Sequence, residues 1–235
     1  MQMNGNGDRG AIAGQDFEAE RRDMVARQIR GRGIRSARVL EAMESVPRHL
    51  FVPAGRVREA YADEPLPIGE GQTISQPFMV AAMAEALSLE GHERVLEVGC
   101  GSGYQAAVVS RLAREVIAME TLPALAESAR ERLARLGYAN VTVKEGDGSA
   151  GRPVGAPYDA ILVTAAAPEV PQPLIDQLAE GGRLVIPVGG SKHQELLRIV
   201  KREGRTTEQS LYSCRFVPLL GRYGWRQDTQ DTDRE

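Results

Sequence analysis

The chain has 235 residues, enough for one domain with an extension, and 42% apolar with 26% charged residues is the composition of a folded protein with a core. No run reaches the about 18 uninterrupted apolar residues of a membrane-crossing helix, and Met1 to Gln15 lack the apolar stretch of a secretory leader. Two cysteines, Cys100 and Cys214, make neither a disulfide framework nor a zinc site, which points to the cytoplasm, and a net charge of −3 gives no overall reason to expect nucleic acid.

Residues 1–15 and 226–235 lack apolar periodicity and are expected to be disordered tails. From Asp16 to about Val57 the pattern is helical but interrupted, with Met24, Gln28 and Ile29 suggesting one face before a break at 31–36. Ser36 is placed to cap a second helix carrying Val39, Leu40, Met43 and Val46, stopped by Pro47. Ten arginines face three acids between Arg21 and Arg58. That excess reads either as a basic face for an anionic partner or, more in keeping with charge runs in general, as the solvated side of amphipathic helices.

Residues 61–77 hold three prolines and two glycines, too irregular for a helix or a regular strand, and long ordered loops of this kind tend to be functional. Pro77 suits the first turn of a helix to about Leu89, with Met79, Val80, Met83, Ala84 and Leu87 inward. Beyond Gly91 short β-branched runs at 94–98, 115–120, 141–145, 158–164 and 182–188 alternate with helical stretches at 104–113, 123–136 and 171–179. Segments 194–201 and 210–219 read as a terminal antiparallel pair whose order in the sheet is open. The expectation is an α/β fold with a mostly parallel seven-stranded sheet and helices on both faces, residues 91–225 forming this core and 16–90 a helical extension.

In such sheets ligands sit beyond the carboxyl ends of the strands. The first such turn runs Glu97-Val98-Gly99-Cys100-Gly101-Ser102-Gly103. Glycines allow close backbone approach, but Tyr104 stands where a dinucleotide fingerprint needs its third glycine. Glu97 beside the loop repels a pyrophosphate and suits an ammonium group. Glu120, ending the next strand, is placed to accept from both hydroxyls of a ribose. In the third turn, Asp147 and Gly148 are placed to take an adenine amino group, although the same residues also make an ordinary turn. Acids at loop, ribose and adenine describe a nucleoside bearing an amino acid without phosphates, and S-adenosylmethionine fits that description.

The segments GQTISQP (71–77), LEVGCGSGY (96–104), GDG (146–148), PYDAILVTAAAPEVP (157–171), GGRLVIPVG (181–189) and RFVPL (215–219) resemble the protein-L-isoaspartate O-methyltransferase family, within the class I methyltransferases. The likeness spans about residues 16 to 220. It implies a Rossmann-like fold and methyl transfer from S-adenosylmethionine to the free α-carboxylate of L-isoaspartyl residues in damaged proteins, which starts their repair and leaves S-adenosyl-L-homocysteine. It implies Ser75 as the active-site residue, with Thr73, Ile74 and Gln76 beside it. Glu97, Gly99, Gly101, Ser102, Gly103, Glu120, Asp147 and Gly148 are then the cofactor residues, and Thr164 and Ala165 hold the isoaspartyl backbone. Arg215 is a candidate carboxylate partner, though a lone strand arginine is more often a surface residue.

Ser75 also reads simply as a cap for the helix at Pro77. Isoaspartyl proteins and peptides are the expected partners, with no metal, membrane or nucleic acid, and a monomer is the default. The pairs Asn4-Gly5 and Asn6-Gly7 are prone to succinimide formation, so the N-terminal tail is a candidate self-substrate; a base-labile methyl on that peptide after ageing is the test. Two other functions share the sheet. A methyltransferase for amines would usually carry an Asn/Asp-Pro-Pro-Tyr/Phe turn where this chain has Thr164-Ala165-Ala166-Ala167-Pro168, and a nicotinamide oxidoreductase would need the glycine that Tyr104 replaces. A third reading, a non-catalytic domain that binds the cofactor and docks proteins through residues 21–58, is disfavoured by the intact 73–77 segment.

Overall fold

The structure is a computed structural model and describes residues 16–226. The two tails, with the Asn-Gly pairs, lie outside the described residues apart from Arg226. Asp16 caps α1 (Phe17–Asp23), its carboxylate accepting from the amides of Glu18 and Ala19. The chain continues as a π-helical segment over Met24–Ile29 and a 3-10 turn over Arg30–Arg32, closed by Gly33 at φ +106. The π spacing puts Met24 and Ile29 on one buried face with Val25, whereas Gln28 turns its amide to the Tyr61 carbonyl. Ser36 caps α2 (Ala37–Ser45) by accepting from Val39 N–H, and Val39, Leu40, Met43 and Val46 are buried as their spacing demands.

Residues 61–77 depart from expectation. They hold a short antiparallel hairpin, β1 (Leu66–Gly69) with β2 (Gln72–Ile74). Gly69, Glu70 and Gly71 close it with φ of +96, +52 and +68, and the pairing slips between Pro67 and Gly69. A two-stranded ribbon is all edge, so a proline that cannot donate to a ladder is tolerated in it. α3 (Pro77–Leu87) then starts at Pro77 as expected and stops early, because Ser88 takes the left-handed conformation at φ +51. Its Val80, Met83, Ala84 and Leu87 are buried, and Met79 is half-buried.

The core elements follow as β3 (Arg94–Val98), α4 (Tyr104–Ser110), β4 (Glu115–Glu120), α5 (Pro123–Arg135), β5 (Val141–Glu145), β6 (Tyr158–Val163), α6 (Gln172–Asp176), β7 (Leu178–Gly189), β8 (Gln194–Arg202) and β9 (Arg205–Cys214). They form the expected seven-stranded α/β sheet in the order β5-β4-β3-β6-β7-β8-β9. The first five strands are parallel, and β8 runs antiparallel to both neighbours. A tight turn at Glu203 and Gly204, with φ +52 and +70, joins β8 directly to β9 and so settles their order. That turn also starts the last strand at Arg205 rather than at 210. Residues 215–219 leave the sheet and run beside Ala166, whose amide donates to the Val217 carbonyl and whose carbonyl accepts from Leu219.

Side chains alternate across β3, so Val95 joins one buried cluster and Leu96 and Val98 the other. The first face is covered by buried residues of α2, α3, α4 and α5 together with the N-terminal segment. Among the described residues the second carries the short α6, the 165–170 loop and the returning 217–219 segment, through Leu174, Ala167, Val217 and Leu219. Because β4 and β6 lie on opposite sides of β3, the sheet's switch point opens directly above the glycine turn.

Candidate active site

The glycine turn is wound through three positive φ angles, +95 at Gly99, +52 at Gly101 and +86 at Gly103. Gly99 and Cys100 both donate their amides to the Met119 carbonyl at 2.9 and 3.0 Å, and so lock the turn to the end of β4. Gly103 sits at the cap of α4, where a Cβ would lie 3.1 Å from Leu133. Ser102 is buried and accepts from the Tyr104 amide through its hydroxyl at 3.3 Å, while its carbonyl accepts from Arg132 at 2.9 Å.

Glu120 ends β4 with each carboxylate oxygen held by one amide: Gly101 donates at 2.7 Å and Leu122 at 3.0 Å. Each oxygen keeps a second acceptor site, and the side chain lines the cleft above the turn. Gly148, in the third turn, borders the same cleft. A Cβ there would meet Val98 Cγ1 at 2.7 Å, so only glycine lets the β5 turn close over β3. Asp147 itself does not line the cleft. Its Oδ1 accepts from the amide and hydroxyl of Ser149 at 2.9 and 2.6 Å, and its Oδ2 from the Arg222 amide at 2.8 Å. The Ser149 hydroxyl in turn accepts from Tyr223 N–H. The residue expected beside the adenine thus also clasps the C-terminal segment.

Glu97 shares the first face of the sheet with Val95, by strand alternation, and is fully buried. Neither of its oxygens has a hydrogen-bond partner among the described residues. Burial, and then the like charge of Glu120, push its pKa well above the usual carboxylate range. Glu97 is not among the residues lining the cleft, but an unpartnered interior carboxyl two residues before the glycine turn is a group that an ammonium would satisfy. The donor set therefore fits an amino-acid-bearing nucleoside: Glu97 and the glycine amides at one end, Glu120 in the middle, and Gly148 with Asp147 at the other. Cys100 is buried in the turn, and burial followed by Glu97 and Glu120 pushes its thiol well up, so it is no thiolate nucleophile.

Thr73, Ser75 and Thr164 line both this cleft and a second groove of about 900 Å³ that also holds Gln76 and Arg215. Ile74 and Ala165 face the cleft alone. Ser75 is half-buried, and its hydroxyl has no hydrogen-bond partner among the described residues. It is not the cap of α3, since that position falls to Gln76, which makes no side-chain cap and donates instead to the Asp63 carbonyl at 2.9 Å. Thr164 turns its hydroxyl into the glycine loop, donating to the carbonyls of Val98 and Gly99. Its side chain thus braces the loop and leaves the backbone of the turn for a ligand. Arg215 is exposed on the groove rim.

Sequence reasoning singled out Arg215 from its segment and passed over Val217, Pro218, Leu219 and Leu220, which also line the cleft. The signal was Gly221, whose φ of +149 lets the chain turn back beneath Asp147. Arg32, in the groove wall, was hidden among the ten arginines of the N-terminal region. Most of those are engaged elsewhere, Arg22 with Glu18, Arg27 with Asp23, Arg56 with Glu59, and Arg21 on the Glu44 carbonyl, as a solvated helix face would have it.

A switch-point cleft above a glycine turn, with an acid ending the neighbouring strand, defines a Rossmann-like methyltransferase of class I. The chain belongs to the protein-L-isoaspartate(D-aspartate) O-methyltransferase family, whose model matches residues 19–224. It is 58% identical over 207 residues to a protein-L-isoaspartate O-methyltransferase of Methanoculleus marisnigri, covering 88% of this chain and 94% of that one. A relative of the same description from Methanoregula boonei is 57% identical, covering 88% and 95%. Among solved structures, a protein-L-isoaspartate O-methyltransferase superposes with a TM-score of 0.78 at 32% identity, over 86% of this chain and 67% of that one. A Plasmodium falciparum protein described as a beta-aspartate methyltransferase, in complex with S-adenosyl-L-homocysteine, superposes at 0.73 with 27% identity, over 85% and 98%.

Proposed function

We propose that Ser75 orients the substrate carboxylate at the junction of the two cavities, and that Glu97, Gly99, Gly101, Ser102, Gly103, Glu120, Asp147 and Gly148 hold the methyl donor. By family the chain is an S-adenosylmethionine-dependent carboxyl methyltransferase acting on isoaspartyl residues of damaged proteins. When bound, S-adenosylmethionine supplies an electrophilic methyl group on a sulfonium and departs as S-adenosyl-L-homocysteine. The acceptor needs no base, because an α-carboxyl group ordinarily titrates at ~3.5 and is already an oxyanion at neutral pH. The work left to the protein is alignment and exclusion of water, worth on the order of 7–11 kcal/mol in well-oriented reactions.

The observation that carries the reading is the free Ser75 hydroxyl, bordering both cavities with no protein acceptor of its own among the described residues. It donates to one oxygen of the carboxylate and leaves the other aimed into the cleft. The free amides at the start of α3, from Phe78 onward, lie three residues on and favour the same charge. Thr73, Ile74 and Gln76 fix the strand and helix ends around Ser75, and the Thr164–Ala165 turn faces it across the junction. In this reading residues 16–90 contribute Arg32 and the 73–79 stretch to the substrate groove, while residues 91–225 supply most of the donor cleft and the rest of the groove. Cytoplasmic residence is supported by two free cysteines. A monomer is supported by the scatter of the large exposed apolar side chains, Leu50, Val154, Tyr212 and Tyr223.

Ser75→Ala tests this. A charge-assisted hydrogen bond is worth about 1.5–3 kcal/mol, so kcat/KM for an isoaspartyl peptide should fall roughly 10- to 100-fold while the dissociation constant of S-adenosyl-L-homocysteine stays put. Unchanged kcat/KM, or a parallel loss of cofactor binding, rejects the assignment.

A further inference from the structure

The groove beyond Ser75 has a charge of its own. Its wall contains two cations, Arg32 from the N-terminal segment and Arg215 from the strand-to-loop exit after β9, and among the described residues it contains no Asp, Glu or Lys. Arg32 is held flat over the Phe78 ring, 3.8 Å from its centroid, with one nitrogen 3.0 Å from Asp63. A guanidinium presents five donors, so this pairing leaves several of them for a ligand. Arg215 is exposed, and no ion pair to it exists among the described residues. Of the acids nearby, Asp63 pairs with Arg32, and Glu195, close to Cys214, holds the Ser210 hydroxyl at 2.6 Å and His193 at 3.3 Å, while Glu70 borders a neighbouring pocket that Arg215 also lines.

We infer that this groove selects isoaspartyl peptides carrying acidic side chains beside the damaged residue, read by Arg32 and Arg215. The inference rests on Ser75 holding the isoaspartyl carboxylate. An extended peptide advances ~3.3 Å per residue, so a chain leaving Ser75 along the groove carries the side chains beside the damaged residue past its two cations. The Phe78 ring under Arg32, with Tyr212 edge-on to it at 5.5 Å, holds the exposed guanidinium in place over the groove, and a guanidinium stacked on a ring suits a planar carboxylate. Lysine side chains at the same positions meet like charge and are disfavoured.

The experiment compares three isoaspartyl peptides, identical except that the neighbours of the damaged residue are Glu, Gln or Lys, assayed with the full chain for kcat/KM at low and high salt. The expected order is Glu above Gln above Lys, with steps of about threefold at low salt that shrink as salt rises. Arg215→Gln and Arg32→Gln should each compress the Glu-to-Lys ratio, Arg215→Gln the more because Arg32 is shared with Asp63. The ratio in whichever variant folds suffices. Equal kcat/KM for the three peptides, or an unchanged ratio in the variants, overturns the inference and leaves the Ser75 reading standing. Methylation of none of the three overturns both.

Discussion

The hydroxyl of Thr164 occupies the place where a side chain on Gly99 would begin: a Cβ there would lie 2.5 Å from Thr164 Oγ1. The two residues follow adjacent parallel strands, and their contact ties the glycine turn to the turn after β6, which we propose faces the substrate. Gly99 also stands at φ +95, where L side chains are strained. Gly99→Ala should therefore cost about 2–4 kcal/mol in stability and weaken cofactor binding more than tenfold. Adding Thr164→Ala should recover part of the loss by removing the clash, although not the backbone strain. Thermal unfolding and cofactor titration of the single and double variants read both effects.

Glu97 makes the cofactor-free protein sensitive to pH. Its folded pKa is raised by burial and then by Glu120, so the native state holds a proton that the unfolded chain releases. Stability from this group is present below the ordinary glutamate pKa of the unfolded chain and is lost as pH rises towards the raised folded value. The free protein should lose stability with rising pH across that window, and Glu97→Gln should flatten the loss. The same variant should weaken cofactor binding, since the carboxylate is the partner offered to the ammonium group. A Glu97→Gln protein with the wild-type pH slope of melting temperature would refute this.

Glu120 holds Gly101 and Leu122 by one oxygen each, and both acceptors are needed. Glu120→Gln keeps one acceptor and turns an NH2 group towards the other amide. The affinity for S-adenosyl-L-homocysteine should drop about 10- to 100-fold by calorimetry, because charge-assisted bonds of about 1.5–3 kcal/mol are lost.

Gly221 lies against Asp147 so closely that any Cβ would collide with the carboxylate. Gly221→Ala should free the 219–223 segment from Asp147 and Ser149, and with it Leu219 and Leu220 from the cleft wall. Cofactor affinity should fall while the sheet keeps its cooperative unfolding. Limited proteolysis should cut near this segment in the variant, and protection equal to wild type would contradict the clasp.

The parallel strands and the turns after them were legible because each is a short apolar run with its chemistry at one end: Arg94–Val98 with the glycines, Glu115–Glu120 with its terminal acid. The Ser36 cap and the Pro77 start were legible for the same local reason. The 66–74 hairpin was not, since prolines and glycines that forbid a central strand also suit a two-stranded ribbon. The extent of β9 was obscured because its exposed residues carry little alternation, and its start depends on a turn at Glu203–Gly204. In the proposed site, Glu97 and Glu120 were singled out from local pattern, whereas Ser75 came from the family resemblance, its local pattern reading only as a helix cap. The second duty of Asp147, the inward turn of Thr164 and the groove position of Arg32 arise from contacts 31 to 75 residues apart in the chain, which no local pattern records.

The most direct test supplies isotopically labelled S-adenosylmethionine with two peptides that differ only in carrying L-isoaspartate or ordinary aspartate at one position. The structure and family together require label in the isoaspartyl peptide alone, released by mild base as a methyl ester. Label in both peptides, in neither, or in a base-stable linkage would contradict that requirement.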